Sequence, residues 1–127
     1  MGSVNEVTLV GNLTRDPELR HTSNKKPVCI LGLATNRNWV DENGEKHEEP
    51  EYHRLVAFDK LAETCHRYLK KGRKIYARGR LHYHTYTGQD SVEKYTAEIV
   101  LEKMEFLDST PQDVKETLNG AAVQQVQ

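Results

Sequence analysis

Between Glu51 and Gly72 the chain passes from a strongly alternating strand straight into one short amphipathic helix, a junction that limits the fold more than anything else in the sequence. Along residues 51–58 the side chains have period two. Tyr52, Arg54, Val56 and Phe58 share one face, and His53, Leu55 and Ala57 share the other. Asp59 is suited to cap a helix over residues 60–71. Leu61, Cys65 and Leu69 fall at i, i+4 and i+8 within it, one apolar stripe for one packed face. Lys70 and Lys71 complement the helix C-terminus, and Gly72 can adopt the left-handed closing conformation.

Strand signals lie on both sides of this helix. Residues 7–10 are a short apolar run closed by Gly11-Asn12, and Arg15-Asp16-Pro17-Glu18 breaks it, since proline removes a ladder donor. Residues 28–35 are rich in β-branched and apolar types and read as a long buried strand that continues to Trp39. Asn43-Gly44, in a polar stretch, is the strongest short hairpin signal available. Beyond the helix, residues 74–86 read as a strand and Gly88 as part of a turn. Residues 95–103 then alternate, with Tyr95, Ala97, Ile99 and Leu101 against Thr96, Glu98, Val100 and Glu102. The order is three strands, one helix, two strands. An all-β, five-stranded Greek-key OB-fold barrel with one α-helix between strands 3 and 4 has this order; an antiparallel sandwich fits a single helix there less well.

At 127 residues the chain is one domain's worth. The barrel is expected over residues 1–107 and a polar, loosely ordered tail over 108–127, where Val114, Leu118 and Ala122 have helical spacing too weak for a docked helix. No apolar stretch approaches the ~18 residues of a membrane span. Met1-Gly2-Ser3 leads into strand-like sequence without a signal-peptide pattern, so a cytoplasm-like compartment is the default. Cys29 and Cys65 form no CxxC and are expected to be buried free thiols. The net charge of −1 hides a segregation, with acids collected in residues 41–51 and after Glu93, and bases in residues 67–80. One face can therefore follow phosphates although the whole chain is not basic.

The aromatic residues carry the functional signal. Trp39 follows Arg37, Tyr52 and Phe58 flank Arg54, and Tyr86 lies just beyond Arg80, His82 and His84. Flat rings interleaved with cations suit single-stranded nucleic acid, whose bases stack while its phosphates pair with charge. Tyr68, Tyr76, Tyr95 and Phe106 are read as structural, and His53, facing away from Tyr52 and Arg54, as a satisfied interior or subunit-contact histidine.

These residues resemble those of the bacterial-type single-stranded-DNA-binding proteins, a family with mitochondrial members. The similarity lies in Val10-Gly11-Asn12-Leu13, Asp16-Pro17-Glu18-Leu19-Arg20, Leu33-Ala34-Thr35-Asn36 with Trp39, and the run from Glu51 to Phe58. It continues through Lys60-Leu61-Ala62-Glu63, Tyr68-Leu69-Lys70-Lys71-Gly72, the run from Ile75 to Leu81, and Tyr95-Thr96-Ala97-Glu98-Ile99-Val100. The resemblance implies a homotetramer, with a homodimer as the fallback, that coats single-stranded DNA with little sequence preference. It implies stacking at Trp39, Tyr52, Phe58 and Tyr86 and phosphate contacts at Arg20, Arg54, Lys60 and Lys71, to which Arg37 is added as Trp39's cationic neighbour. It also implies a cytoplasmic, nucleoid-associated protein, with the mitochondrial matrix as the alternative.

Three departures stand out. Tyr52 and Tyr86 occupy positions where relatives often carry tryptophan, so weaker stacking is expected. His82 and His84 stand where many relatives place arginines. Histidines as a class titrate near 6.5, so affinity is expected to rise on acidification. The acidic Pro-Phe tip that recruits replication and repair enzymes is not found in residues 108–127, so recruitment by that route is not expected.

No metal site is expected: His82 and His84 share a strand face but have no third ligand at a suitable spacing. Asp16, Glu18, Glu48 and Glu49 have no nucleophile or base at a recognisable spacing, so neither catalysis nor a cofactor is expected. Two other readings are a protein-binding OB module and an RNA-binding OB domain, since stacking does not distinguish the sugars.

Overall fold

A computed structural model of the chain describes residues 2–108. Its elements run β1 (Val7–Leu13), β2 (Glu18–His21), β3 (Pro27–Val40), β4 (Lys46–Phe58), α1 (Asp59–Tyr68), β5 (Lys74–Thr87) and β6 (Glu93–Phe106). The strands are ordered β1-β5-β6-β4-β3-β2, and an added β1–β3 pairing closes β1, β5, β6, β4 and β3 into a five-stranded barrel. β4 and β6 run parallel where Leu55 and Val56 meet Ile99 and Val100; the other pairs are antiparallel. This is the OB architecture, with β2 laid against the outer edge of β3. Of the five barrel strands, the helix therefore follows the third, β4, and precedes the fourth, β5, as the sequence order implies.

Leu31, Leu33, Leu55 and Ile75 are fully buried and fill the barrel. Burying each of these side chains stabilises the fold by about 1.5–3 kcal/mol before entropy is counted. From α1, Ala62, Cys65 and Tyr68 pack into the same cluster, so the helix plugs one end. Tyr68 meets Phe106 edge-on, ring centroids 6.2 Å apart. Cys29 and Cys65 are free and buried. Burial pushes the Cys29 thiol up to about 11, and burial pushes Cys65 up as well.

Both helix ends differ from the sequence expectation. Phe58, in extended conformation, is the N-cap residue and no side chain caps the helix; Asp59 is its first residue, at φ +56°. With no linker between β4 and α1, the chain must reverse within one residue, and aspartate tolerates the left-handed region better than most. The helix stops at Tyr68 because Leu69 is already extended, at φ −102° and ψ 151°. Gly72 does take a positive φ, +92°, in the turn where its N–H donates to Leu13.

Two hairpins overrun the barrel. Residues 36–50, at the end of β3–β4, are mostly exposed and turn at Asn43-Gly44, with Gly44 at φ +79°. The far half of β5–β6 is also exposed from His82 to Ala97. A β-bulge at Arg78/Gly79 bends β5, and a side chain at Gly79 would collide with the Val100 carbonyl. Asp108 is tied to the domain by Arg73, whose Nε donates to its carboxylate at 3.0 Å. The rest of the expected tail, residues 109–127, lies outside the described residues. Among the described residues no helix is long and apolar enough to cross a membrane.

Candidate nucleic-acid interface

Directly paired residues share a face, so the strand register arranges the outward side chains in rows. Arg20, Val28 and Phe58 form one row across β2, β3 and β4. Glu18, Ile30, Val56, Val100 and Arg80 form the next. Beyond it come Arg54 on β4 and the pair Glu98–His82, bridged by Arg54 Nε donating to Glu98 at 3.4 Å. Tyr52 and His84 lie further out, and Tyr86 stands opposite Lys94. The period-two reading of β4 thus holds: Leu55 and Ala57 point inward, and Tyr52, Arg54 and Phe58 point to solvent.

Tyr52 is 72% exposed, Tyr86 48% and Phe58 45%. Between them lies a trough of about 300 Å³ lined by Val28, Ile30, Arg54, Val56, His84, Thr96 and Glu98. Ile30 and Val56 are nearly covered although they face outward, giving the trough an apolar floor below a charged rim. A second hollow of about 330 Å³, lined by Thr14, Arg15, Gly32, Tyr52, His53 and Arg54, adjoins it. Rings for stacking, an apolar floor and rim cations are what a single strand needs.

The cations here are already engaged. Arg20 Nε lies 2.7 Å from Glu18, and this hydrogen bond holds the Glu18 carboxyl below its ordinary range. Arg54 pairs with Glu98. Both pairs are partly exposed and so contribute little to stability, which leaves the guanidinium groups free to exchange a carboxylate for a phosphate. Lys60 is exposed in the first turn of α1, close to Phe58 in sequence. Lys71 lies beyond the other end of the helix, where its backbone N–H donates to Asp16.

Trp39 and Arg37 do not join this face. They share parity with Leu31 and Leu33, whereas Tyr52 pairs with Ala34, so Trp39 projects from the reverse side of the β3–β4 hairpin. There its ring is half-buried, with the Arg37 guanidinium 4.5 Å from its centroid and the His47 imidazole stacked at 5.2 Å and 19°. The expected aromatic positions therefore occupy two faces rather than one row. His53, as expected, is half-buried and satisfied, 2.9 Å from the Thr35 hydroxyl.

One structural assignment fails. Tyr95 is 67% exposed, its hydroxyl donating to Glu93, because the β5–β6 hairpin continues past the barrel. Tyr83, 62% exposed on the same face, was not singled out by the sequence, nor were Arg15 and His47. Strand parity marks Tyr83 and Tyr95 as sharing a face, but only the end of the barrel decides that this face is wet. Asp41, Glu45 and His47 also approach one another closely enough to offer ligand atoms; their mutual hydrogen bonds account for that approach, and the acidic group carries no metal assignment.

A single-strand binding protein family model matches residues 4–107. The chain belongs to that family. Among relatives of the single-strand binding family, a single-stranded DNA-binding protein of Neisseria meningitidis serogroup A is 41% identical over 105 residues, covering 83% of this chain and 60% of its own. One from Xanthomonas axonopodis pv. citri is 43% identical, covering 82% of this chain and 58% of its own. The chain thus spans about three-fifths of the length of these relatives. A Plasmodium falciparum single-strand binding protein, solved in complex with single-stranded DNA, superposes with a TM-score of 0.79 at 31% identity, covering 85% of this chain and 98% of that one.

Proposed function

We propose that this chain binds single-stranded DNA without reading its sequence and shields it during replication, recombination and repair. Bases stack on Tyr52, Phe58 and Tyr86 along the outer face and on Trp39 behind the β3–β4 hairpin. Arg20, Arg37, Arg54, Lys60, Lys71, His82 and His84 accept phosphates. No catalytic step and no cofactor are part of this reading. The observation that carries it is the outer face itself, with three exposed rings around an apolar trough edged by Arg54 and His84.

Assembly into a homotetramer, or at least a dimer, belongs to the same proposal. Along Val7–Val10, β1 pairs with β5 on one edge and has no partner on the other among the described residues, and Val10 is exposed. An open strand edge invites pairing with a second copy. A cytoplasmic setting follows the bacterial relatives.

Titration with oligo-dT, followed by the emission of Trp39, the only tryptophan, tests the central claim. Single strands quench strongly and duplex DNA of equal length does not. Equal quenching by both removes the reading, and so does quenching by neither when labelled oligo-dT also shows no rise in polarisation.

A further inference from the structure

We propose that His47 is an additional base-stacking residue, forming with Trp39 a two-ring platform on the reverse face of the β3–β4 hairpin, and that Asp41 is its positioning residue. The inference rests on the single-stranded DNA reading above and extends it to a residue outside the sequence-derived set.

The platform is built outward from the backbone. Asp41 Oδ1 accepts the N–H groups of Asn43 and Glu45, both at 2.9 Å, so the hairpin turn itself fixes the carboxylate. Asp41 Oδ2 lies 2.8 Å from His47 Nε2, which fixes the rotation of the imidazole. His47 stands directly across the ladder from Trp39, and the two rings are nearly parallel. Space filling alone asks for contact; it does not ask for a ring clamped at its far nitrogen and aligned with its neighbour. A cavity of about 480 Å³, lined by Asn38, Trp39, Val40, Lys46, His47 and Glu48, opens beside the pair and is large enough for a small aromatic ligand.

Charge indicates how this face grips. Asp41, Glu42 and Glu45 crowd the turn, and Glu49 and Glu51 lie on Trp39's side of the ladder, against Arg37. Such a surface repels a continuous run of phosphates, so beyond a single phosphate at Arg37 the grip here comes through the rings. Loss of His47 should then weaken binding without altering its dependence on salt.

The test measures polarisation of labelled oligo-dT over a range of salt concentrations with wild type, His47→Ala, His47→Phe, Asp41→Asn and the Asp41→Asn/His47→Ala pair. His47→Ala should weaken binding by about 5-fold, the low end for one stacked base, with an unchanged salt slope. His47→Phe, which restores a flat ring, should recover wild-type affinity. Asp41→Asn should weaken binding less than His47→Ala, shift Trp39 emission in the free protein, and add nothing once His47 is gone. Unchanged or tighter binding by His47→Ala overturns the proposal, because the imidazole would then only cover Trp39. A salt slope shallower by roughly 0.7 also overturns it, since His47 would then be a phosphate contact. An additive double variant removes Asp41's role. Failure of the wild type to bind oligo-dT is a different result, one that removes the parent reading and this inference together.

Discussion

Replacing Tyr52 by alanine separates the binding role of the outer face from its structural role. In the free protein Tyr52 is 72% exposed. Full burial of a large side chain stabilises a fold by about 1.5–3 kcal/mol, and only about a quarter of this one is covered, so truncation costs less than about 1 kcal/mol. The melting temperature of a domain this size then falls by no more than about 4–8 °C. A stacked base contributes about 1–3 kcal/mol, so affinity for oligo-dT should drop roughly 5- to 150-fold. Tyr52→Trp should bind more tightly than wild type, since its ring is larger. Neither variant should change the slope of log affinity on log salt, whereas Arg54→Ala should make it shallower by roughly 0.7. Calorimetric melting and oligo-dT titration on the same preparations give both numbers. Tyr52→Ala binding within about 2-fold of wild type, with an unaltered melt, would refute the stacking role.

His82→Ala/His84→Ala should weaken oligo-dT binding at constant salt, and affinity equal to wild type would remove both residues from the phosphate path. Asp41 is held below the ordinary carboxylate range chiefly by its hydrogen bond to His47, then by the N–H groups of Glu45 and Asn43. A depressed pKa contributes stability above the unfolded value of about 3.9, lost as pH falls through the lower folded value. Trp39 emission should therefore shift as the pH falls below about 3.9, and that shift should vanish in Asp41→Asn. The Tyr68 hydroxyl is buried without a hydrogen-bond partner among the described residues. Tyr68→Phe should thus leave stability unchanged or raise it by about 1 kcal/mol in chemical denaturation. Cys29 and Cys65, with raised pKa values and no exposure, should resist a thiol reagent in the native protein and react on unfolding.

Alternation carried much of the fold in the sequence. The parity of residues 52–58 separated the wet rings from the buried Leu55 and Ala57 because a strand's period is two whatever surrounds it. Asn43-Gly44 marked its turn for a similarly local reason. What local signals miss is where partners end. β2 is four residues long, only Leu19 among them touches the core, and no periodicity can develop over that length. Tyr95 has the parity of buried Ile99 yet lies beyond the barrel's rim. The side on which Trp39 emerges follows from the pairing of β3 with β4, a register that neither strand encodes alone.

That register has a mechanical consequence. Ala34, opposite Tyr52, and Trp39 are separated by roughly 17 Å of strand and by the thickness of the ribbon between its two sides. A polymer that visits both must fold over the rim of the ribbon, as a rope is led round a cleat. Contour length, more than base identity, then decides how many rings one ligand engages, and fragments too short to make the bend settle on one side or the other.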